Sequence, residues 1–416
     1  MATFDFTAAG PGQPGSLNAD ALFKINYYKK SENMYNSANV LLGRIKKKYD
    51  FTGRQRFCAT PLSYSGGVGS GTLPTAGVAT YSDALITSKK VYAVCQIERE
   101  AIKASANDKG AFVRATKEVV QKCVESYMRN ASRILFGSGD GSLGTGDTLV
   151  NVAGDGLSVA TAYTFTISAA TFKEANWEEN DIVQIDTAAD GDLTVVAVDA
   201  ANRLISVTGS STILGLDTGL SGLAEVVYMQ GSKNSDPAGL KGVLDATGGF
   251  QFNISVARRW QATQVDATGN PVTETMMNQV MLEVERKFGK APNLIVCSYL
   301  QYRKIMEIMD SQKQYNISPR DKELKGKVSF SGLEFMSTRG PIGIFPERFC
   351  EDDRIYFLND NFIECHHRPG FGWFDDDGTV FLRKDGIDEY EARYGGYYEN
   401  FITPTAHGVL TGLAVS

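Results

Sequence analysis

Histidine is scarce in this 416-residue sequence, with three in all, and none of the six cysteines form a CxxC pair. That leaves little material for a zinc framework. Cys58, Cys95, Cys123, Cys297, Cys350 and Cys365 read instead as reduced thiols in a cytosolic setting. No apolar stretch approaches the roughly 18 residues that cross a bilayer, so no membrane partner is expected. Residues 1–15 are small, polar and Gly/Pro-rich, with no basic segment leading into an apolar run, so they do not read as a secretory signal. A phosphate loop of the GxxxxGKS or GxxxxGKT type is absent, as is a GxSxG nucleophile elbow. No repeat period is visible.

What is present is an ordinary globular composition, 43% hydrophobic and 22% charged, which excludes disordered and collagen-like chains. The length exceeds what one core supports, so two or more domains are expected. A net charge of −6 conceals an asymmetry. Residues 1–60 carry nine basic and four acidic residues, a net of +5. Residues 137–232 carry thirteen acidic residues and two basic ones, Lys173 and Arg203, a net of −11. The two ends of that field must face different surroundings or each other.

The order of parts is informative. Residues 1–50 read as an arm, with a Gly/Pro run over 10–15 and a polar, weakly helical stretch over 19–44. Residues 51–100 read as a long hairpin, one side over 51–59 and the return over 85–98. Its flexible tip holds Gly66, Gly67, Gly69 and Gly71. Such a hairpin is not stable alone and needs a neighbour to lie on. Residues 111–136 give the clearest signal. Phe112, Val119, Val120, Val124, Met128 and Leu135 recur at three- and four-residue steps, with Arg114, Lys117, Lys122, Arg129 and Arg133 mostly on the other face. Twenty-six residues at 1.5 Å each make a rod of roughly 39 Å.

Residues 140–232 change character, with short strands over 163–168, 182–186, 193–198, 204–207 and 223–229 that suggest an inserted small β-barrel or sandwich. The glycine-rich stretches at 137–146 and 231–236 read as its linkers. From residue 237 the chain returns to mixed α/β. Thr273 and Ser298 are placed to cap helices on either side of a buried strand over 293–297, and further strands follow over 333–338, 354–358, 362–366, 380–383, 390–394 and 398–402.

Isolated chemical motifs have plain structural readings. Gly139 to Gly144 spells GxGxxG, but a long helix precedes it and a β-rich segment follows, the reverse of a dinucleotide turn, so it reads as a linker. Cys365-His366-His367 alternates across a strand, so the two imidazoles point to opposite faces and do not readily share an ion. Asp375-Asp376-Asp377-Gly378 lacks the glutamate that closes a calcium loop and reads as a hairpin turn. The run Arg44-Ile45-Lys46-Lys47-Lys48 reads as a solvated face. It could also touch a neighbouring subunit or packaged phosphate, in a sequence-independent, salt-sensitive way. No cofactor or metal site and no catalytic constellation emerges.

The succession of arm, Gly-tipped hairpin, single long helix and α/β body resembles the Hong Kong 97-type major capsid proteins of tailed phages. Local resemblances are Arg133-Ile134-Leu135-Phe136-Gly137 at the end of the helix, Asp236-Pro237-Ala238-Gly239-Leu240-Lys241-Gly242 after the insert, Ala291 to Ser298 followed by Tyr302, and Asn400-Phe401-Ile402-Thr403-Pro404 near the end. The resemblance implies an α+β capsid fold with an N-terminal arm at 1–50, an E-loop hairpin at 51–100 and a P-domain spine helix at 101–139. The β-rich insertion domain would occupy 140–235, and the A-domain with the rest of the P-domain 236–416. It implies a non-enzymatic shell protein that forms hexamers and pentamers of an icosahedral head around double-stranded DNA, located in the virion and assembled in the bacterial cytoplasm. A separate scaffolding protein, a portal and decoration proteins are possible partners. The intersubunit candidates are the four tip glycines and Lys46, Lys47 and Lys48. Some relatives crosslink a hairpin lysine, but Lys89 and Lys90 lie near the hairpin base, so no crosslink is expected. An encapsulin-like nanocompartment and an α/β enzyme are the alternatives.

Overall fold

The computed structural model describes residues 40–63, 71, 80–98, 109–150, 162–168, 171–185, 192–208, 226–312 and 333–415, apart from 339, 370, 376–377 and 384–385. Three of the four tip glycines, Gly66, Gly67 and Gly69, lie outside these residues, as does the polar stretch over 19–39. The chain divides into two compact units, each assembled from separated segments.

The first unit takes Met1–Cys58, Leu85–Leu135 and Glu364–Phe401. It holds α1 (Val40–Arg44), β1 (Lys46–Lys48), β4 (Lys89–Glu98) and most of α2 (Lys109–Phe136). β18 (Ile363–His367), β19 (Gly372–Trp373), β20 (Phe381–Arg383) and β21 (Glu389–Ile402) complete its sheet. β21 is the central strand. β4 runs antiparallel along one edge, from Glu98 opposite Glu389 to Lys89 opposite Tyr398, and β19 and β20 take the other edge. Asp376 and Asp377, the centre of the turn read from the sequence, lie outside the described residues, and Gly378 N donates to Asp375 O at 2.8 Å. Gly395 explains why β21 reads as two strands: a Cβ there would stand 2.2 Å from Val91 O, so the close β4 approach demands glycine inside a continuous strand.

α2 is the long helix that the periodicity predicts, two residues longer at its start. Val120, Cys123, Val124, Tyr127, Met128 and Ala131 form its buried face, while Lys122 and Ser126 are exposed. Val119 is half-buried, and Phe112 lies in the helix where only the backbone is described. Tyr127 meets Tyr394 of β21 edge-on at 5.2 Å and Phe371 at 5.7 Å. Such aromatic pairs contribute about 0.5–1.5 kcal/mol each beyond their burial. The helix end departs from the amphipathic reading. Residues 131–136 are all buried, so Arg133, placed on the polar face by periodicity, is enclosed.

The second unit takes Ala59–Ala84, Phe136–Ile363 and Ile402–Ser416. Its acidic part is a closed antiparallel barrel of β5 (Ser142–Val150), β6 (Ala162–Ile167), β7 (Ile182–Ile185), β8 (Leu193–Asp199), β9 (Leu204–Thr208) and β10 (Val226–Met229). Leu143, Phe165, Ile167, Trp177, Val195 and Val207 are among its core residues. β5 is the strand that the sequence reading took for a linker. A Cβ on Gly144 would stand 2.9 Å from Ile167 Cγ2, and one on Gly141 2.3 Å from Ser232 O. The glycines are there for close packing rather than for flexibility.

Beyond the barrel come α3 (Leu240–Leu244) and a small pair, β11 (Phe250–Gln251) with β12 (Ile254–Ser255). A six-stranded mixed sheet follows, in the order β13 (Thr263–Asp266), β22 (Gly408–Thr411), β17 (Ile355–Leu358), β14 (Leu294–Cys297), β16 (Gly340–Pro346) and β15 (Leu333–Ser337). α4 (Glu274–Phe288) and α5 (Tyr299–Gln312) share its core. Met277, Val280, Met281 and Val284 of α4 pack with Ile295, Phe357 and Leu410. Both predicted caps are present: Thr273 Oγ1 accepts from Met276 N and Ser298 Oγ from Gln301 N, each at 3.3 Å. Gly289 closes α4 in the left-handed conformation. β14 is buried at all four positions, as a central strand should be.

Candidate assembly surfaces

Among the described residues β2 (Gln55–Ser63) and β3 (Thr80–Thr87) pair only with each other. Over nine residues β2 has no buried position. Phe57 is 63% exposed and Tyr81 60% exposed, whereas Ala84 and Ile86 at the other end of β3 are fully buried. The return of the hairpin is not one strand over 85–98. It breaks at Ser88, whose N–H donates to Arg54 O, so β3 belongs to the ribbon and β4 to the main sheet. Of the tip glycines Gly71 alone is described, with positive φ and open space around it. Arg259 Nη1 donates to Leu62 O at 2.9 Å.

The basic run forms a strand. β1 pairs in parallel with β18, setting Lys46 opposite Glu364, Lys47 opposite Cys365 and Lys48 opposite His366. Lys48 Nζ lies 2.6 Å from Glu364 Oε2. His366 is fully buried, with Nε2 3.3 Å from Glu364 Oε2 and Nδ1 3.8 Å from Asp50 Oδ1. Asp50 in turn pairs with Arg56 at 2.6 Å, and that hydrogen bond lowers its pKa. Burial, which outweighs the pull of Glu364 and Asp50, lowers that of His366. Lys46 stays exposed, while Lys47 and Lys48 are half-buried. The solvated face expected from sequence is therefore confined to Arg44 and Lys46. A strand of three lysines has no apolar pattern to betray it.

The first unit also carries an open groove of about 1000 Å³ lined by Tyr49, Tyr92, Phe371, Trp373, Phe374 and Tyr397, with Arg368 and Arg393 at its side. Lys89 and Lys90 stand at the start of β4, opposite Tyr398 and Tyr397.

In the second unit a buried charge cluster joins the barrel segment to the mixed sheet. Glu351 is 4% exposed. Lys173, one of the barrel segment's two cations, places Nζ 2.8 Å from Glu351 Oε1 and donates to Phe349 O at 3.1 Å. Lys241 Nζ stands 3.7 Å from the same oxygen. Arg354 Nε lies 3.6 Å from Glu351 Oε2, and its Nη1 is 2.8 Å from Asp245 Oδ2. The Tyr356 hydroxyl donates to Glu351 Oε2 at 3.0 Å. Burial by itself would raise the Glu351 pKa, but Lys173, Arg354 and Lys241 together hold it down at about 2. Sequence reasoning missed this cluster. Its one signal was Lys173, an isolated cation in an acidic segment.

The histidine motif is structural in form. Cys365 Sγ lies 3.2 Å from His367 Nε2, and the Tyr49 ring stacks on His367 at 5.3 Å. His407 Nδ1 accepts from Asn359 N at 3.1 Å. Burial pushes His367 down to about 3 and His407 to about 4. No group of three metal-ligating side chains occurs among the described residues. No described helix is long and apolar enough to cross a membrane.

Residues 224–414 match the family model of the SU10 major capsid protein. No curated protein sequence matches the chain. Among solved structures, the chain is similar to the capsid asymmetric unit of cyanophage A-1(L), with a TM-score of 0.53, 10% identity, and 90% of this chain and 93% of that chain covered. Looser likenesses extend to Mycobacterium phage Patience, with a TM-score of 0.42, 10% identity and coverage of 100% and 92%. An encapsulin complex from Synechococcus elongatus matches with a TM-score of 0.42, 8% identity and coverage of 91% and 88%. The fold is thus the phage capsid fold, α+β, carrying an inserted barrel. The C-terminal part of the chain, from residue 224 to 414, is similar to a phage major capsid protein family. The particular likeness is to the SU10 major capsid protein, through the segment that runs from β10 to β22.

Proposed function

We propose that this chain closes an icosahedral head from hexamers and pentamers around double-stranded DNA, and that the β2–β3 ribbon is the strap by which each subunit grips its neighbour. The observation that carries the strap is the nine-residue β2 without one buried position. An isolated two-stranded ribbon is marginal in water, so its burial has to come from another chain. Contacts of this kind are individually modest and become strong when every subunit makes and receives them. The exposed Lys46 and the basic arm line the inside or the seams between subunits, and the acidic barrel is an outward knob. Assembly occurs in the host cytoplasm, with scaffolding, portal and decoration proteins as companions.

Electron microscopy of the purified chain tests the shell: closed particles with five- and six-fold capsomers are expected, and a soluble monomer with turnover would overturn the reading. Nuclease-protected double-stranded DNA inside native particles distinguishes a head from a nanocompartment, which would hold protein cargo instead. Limited proteolysis of intact particles should cut first within residues 140–232, and cutting first within residues 1–50 would reverse the inside-out assignment. A ladder of covalent multimers on a denaturing gel would contradict the expectation of no crosslink at Lys89 or Lys90.

A further inference from the structure

The open groove of the first unit has no role in the shell reading. β4 builds one wall of it. Val91, Ala93 and Cys95 are buried, so the alternate residues Tyr92 and Val94 stand on the other face of the strand, exposed. Tyr92 meets Phe374 edge-on at 5.4 Å and Tyr397 of β21 edge-on at 6.0 Å. Rings crossed in this way make a ridged surface rather than a flat one. Tyr49, also exposed, lines the groove with them. Trp373 lines it too, and no described residue accepts from its indole N–H. Arg368 lies over the Tyr397 ring at 5.5 Å and has no carboxylate partner among the described residues.

Aromatic grooves of this kind take up polyproline II segments, whose extended backbone is set before binding. The chain carries such a segment of its own. Pro11-Gly12-Gln13-Pro14 is a PxxP run, set between Gly10 and Gly15. Before Lys24 the sequence holds two acidic side chains, Asp5 and Asp20, and no lysine or arginine. The run is therefore flanked by the charge that Arg368 lacks.

We propose that residues 10–15 dock in polyproline II form into the Tyr92–Tyr397 groove of their own subunit. Reach permits it. Tyr49, on the groove wall, comes nine residues after Val40, a span of at most about 32 Å. The twenty-five residues from 15 to 40 extend to at most about 90 Å, so the connection is long enough with slack to spare. A tethered partner is met at an effective concentration in the millimolar range, so a short segment of modest affinity suffices. Six residues at about 3.1 Å each make a docked run of roughly 19 Å. Pro11 and Pro14 are one turn apart, so both fall on the edge that faces the rings. A backbone carbonyl of the run supplies the acceptor that Trp373 lacks, and an acidic flank faces Arg368. The arm is then anchored at two points, by this dock and by β1, and Lys24, Lys29 and Lys30 lie on the loop between them.

The test replaces Gln13 of the full chain with the photoreactive residue p-benzoylphenylalanine, irradiates, separates the products on a denaturing gel and maps the linked peptides by mass. The linked product should run as one chain and join residue 13 to peptides that hold Tyr92, Trp373 or Tyr397. Groove links found only in a two-chain product would assign the dock to a second copy and overturn the proposal. Links confined to other surfaces, or no links, would overturn the groove itself. Pro11→Ala combined with Pro14→Ala should lower the groove links by about tenfold with an unchanged circular dichroism spectrum, because each proline pre-sets backbone that binding would otherwise have to order. An unchanged yield would overturn recognition of the polyproline form. Particle formation is scored separately on the same preparations. Groove links without particles count against the shell alone, and particles without groove links against the dock alone.

Discussion

The barrel and the β2–β3 ribbon are both antiparallel excursions from the body, and they solve opposite problems. The barrel closes its sheet, leaves no edge, and encloses its own core of Leu143, Phe165, Val195 and Val207. Among the described residues the ribbon has no further strand on either edge, and it turns Phe57 and Tyr81 outward. One is self-sufficient, so its loss should be felt within the chain. The other lacks burial, so its loss should be felt between chains. In the shell proposed above, that difference separates a decoration of the subunit from a part of the lattice.

The largest expected effect breaks the lattice without breaking the fold. Phe57→Asp combined with Tyr81→Asp should abolish closed particles while circular dichroism and monomer stability stay near wild type, because neither side chain is buried in the isolated subunit. Particles at normal yield would show that the ribbon is not a strap. The barrel should respond in the opposite sense. Phe165 is 2% exposed, and Phe165→Ala should cost about 3–5 kcal/mol through lost transfer energy and the cavity left behind. Hydrogen exchange should then accelerate in β5 to β10 while the mixed sheet stays protected. Uniform acceleration would mean that the barrel has no separate core.

The joint between barrel and body comes next. Glu351→Ala strips the counter-charge from Lys173 and Arg354, both largely buried, and should cost about 3–5 kcal/mol, as removal of one partner of a buried pair does. Chemical denaturation measures it, and a loss below about 1 kcal/mol would demote the cluster to ornament. The folded pKa is about 2 against an ordinary value of 4.5, so this contribution is fully present above about pH 4.5 and is lost as pH falls towards 2.

Mild acid separates the regions again. The three histidines lie at 366, 367 and 407, none in the barrel. Their folded pKa values are depressed by burial, to about 3 for His367 and about 4 for His407. Below about pH 6.5 the unfolded chain binds the protons that the folded chain refuses, so stability falls with pH through that point, and His407's share levels off near 4. Hydrogen exchange between pH 7 and 5 should show the body weakening before the barrel, and the reverse order would remove the histidines as the cause.

Where the sequence was readable, one local pattern had a single cause. α2 announced itself because a 3.6-residue apolar period ran through many turns, and the short barrel strands because they alternated between turn clusters. Reading failed where a residue was chosen for something distant. Gly141 and Gly144 looked like a linker, yet they are dictated by Ser232 and Ile167 across the barrel. Gly395 split β21 on paper because Val91 O approaches it from β4. Lys46 to Lys48 hid β1, whose partner lies more than 300 residues away at β18. The Glu351 cluster gathers side chains from 173, 241, 351, 354 and 356, a set that no spacing rule assembles. The β2–β3 ribbon was legible in part as a hairpin, because a strand pair without a core is visible as an excess of glycine and polarity.

The smallest expected effect is the sharpest control on the comparison. Val196 is an apolar side chain on barrel strand β8 that is 50% exposed, much as Phe57 is on the ribbon. If the barrel keeps all its necessary burial inside, Val196→Asp should change stability by less than about 0.5 kcal/mol, as surface substitutions ordinarily do, and should leave particle yield unchanged. The same apolar-to-charged change would then be silent on one β excursion and disabling on the other. Loss of particles from Val196→Asp with a normally folded subunit would mean that the barrel wall is also a lattice contact. The division between a self-contained knob and a borrowed strap would then fail at the knob.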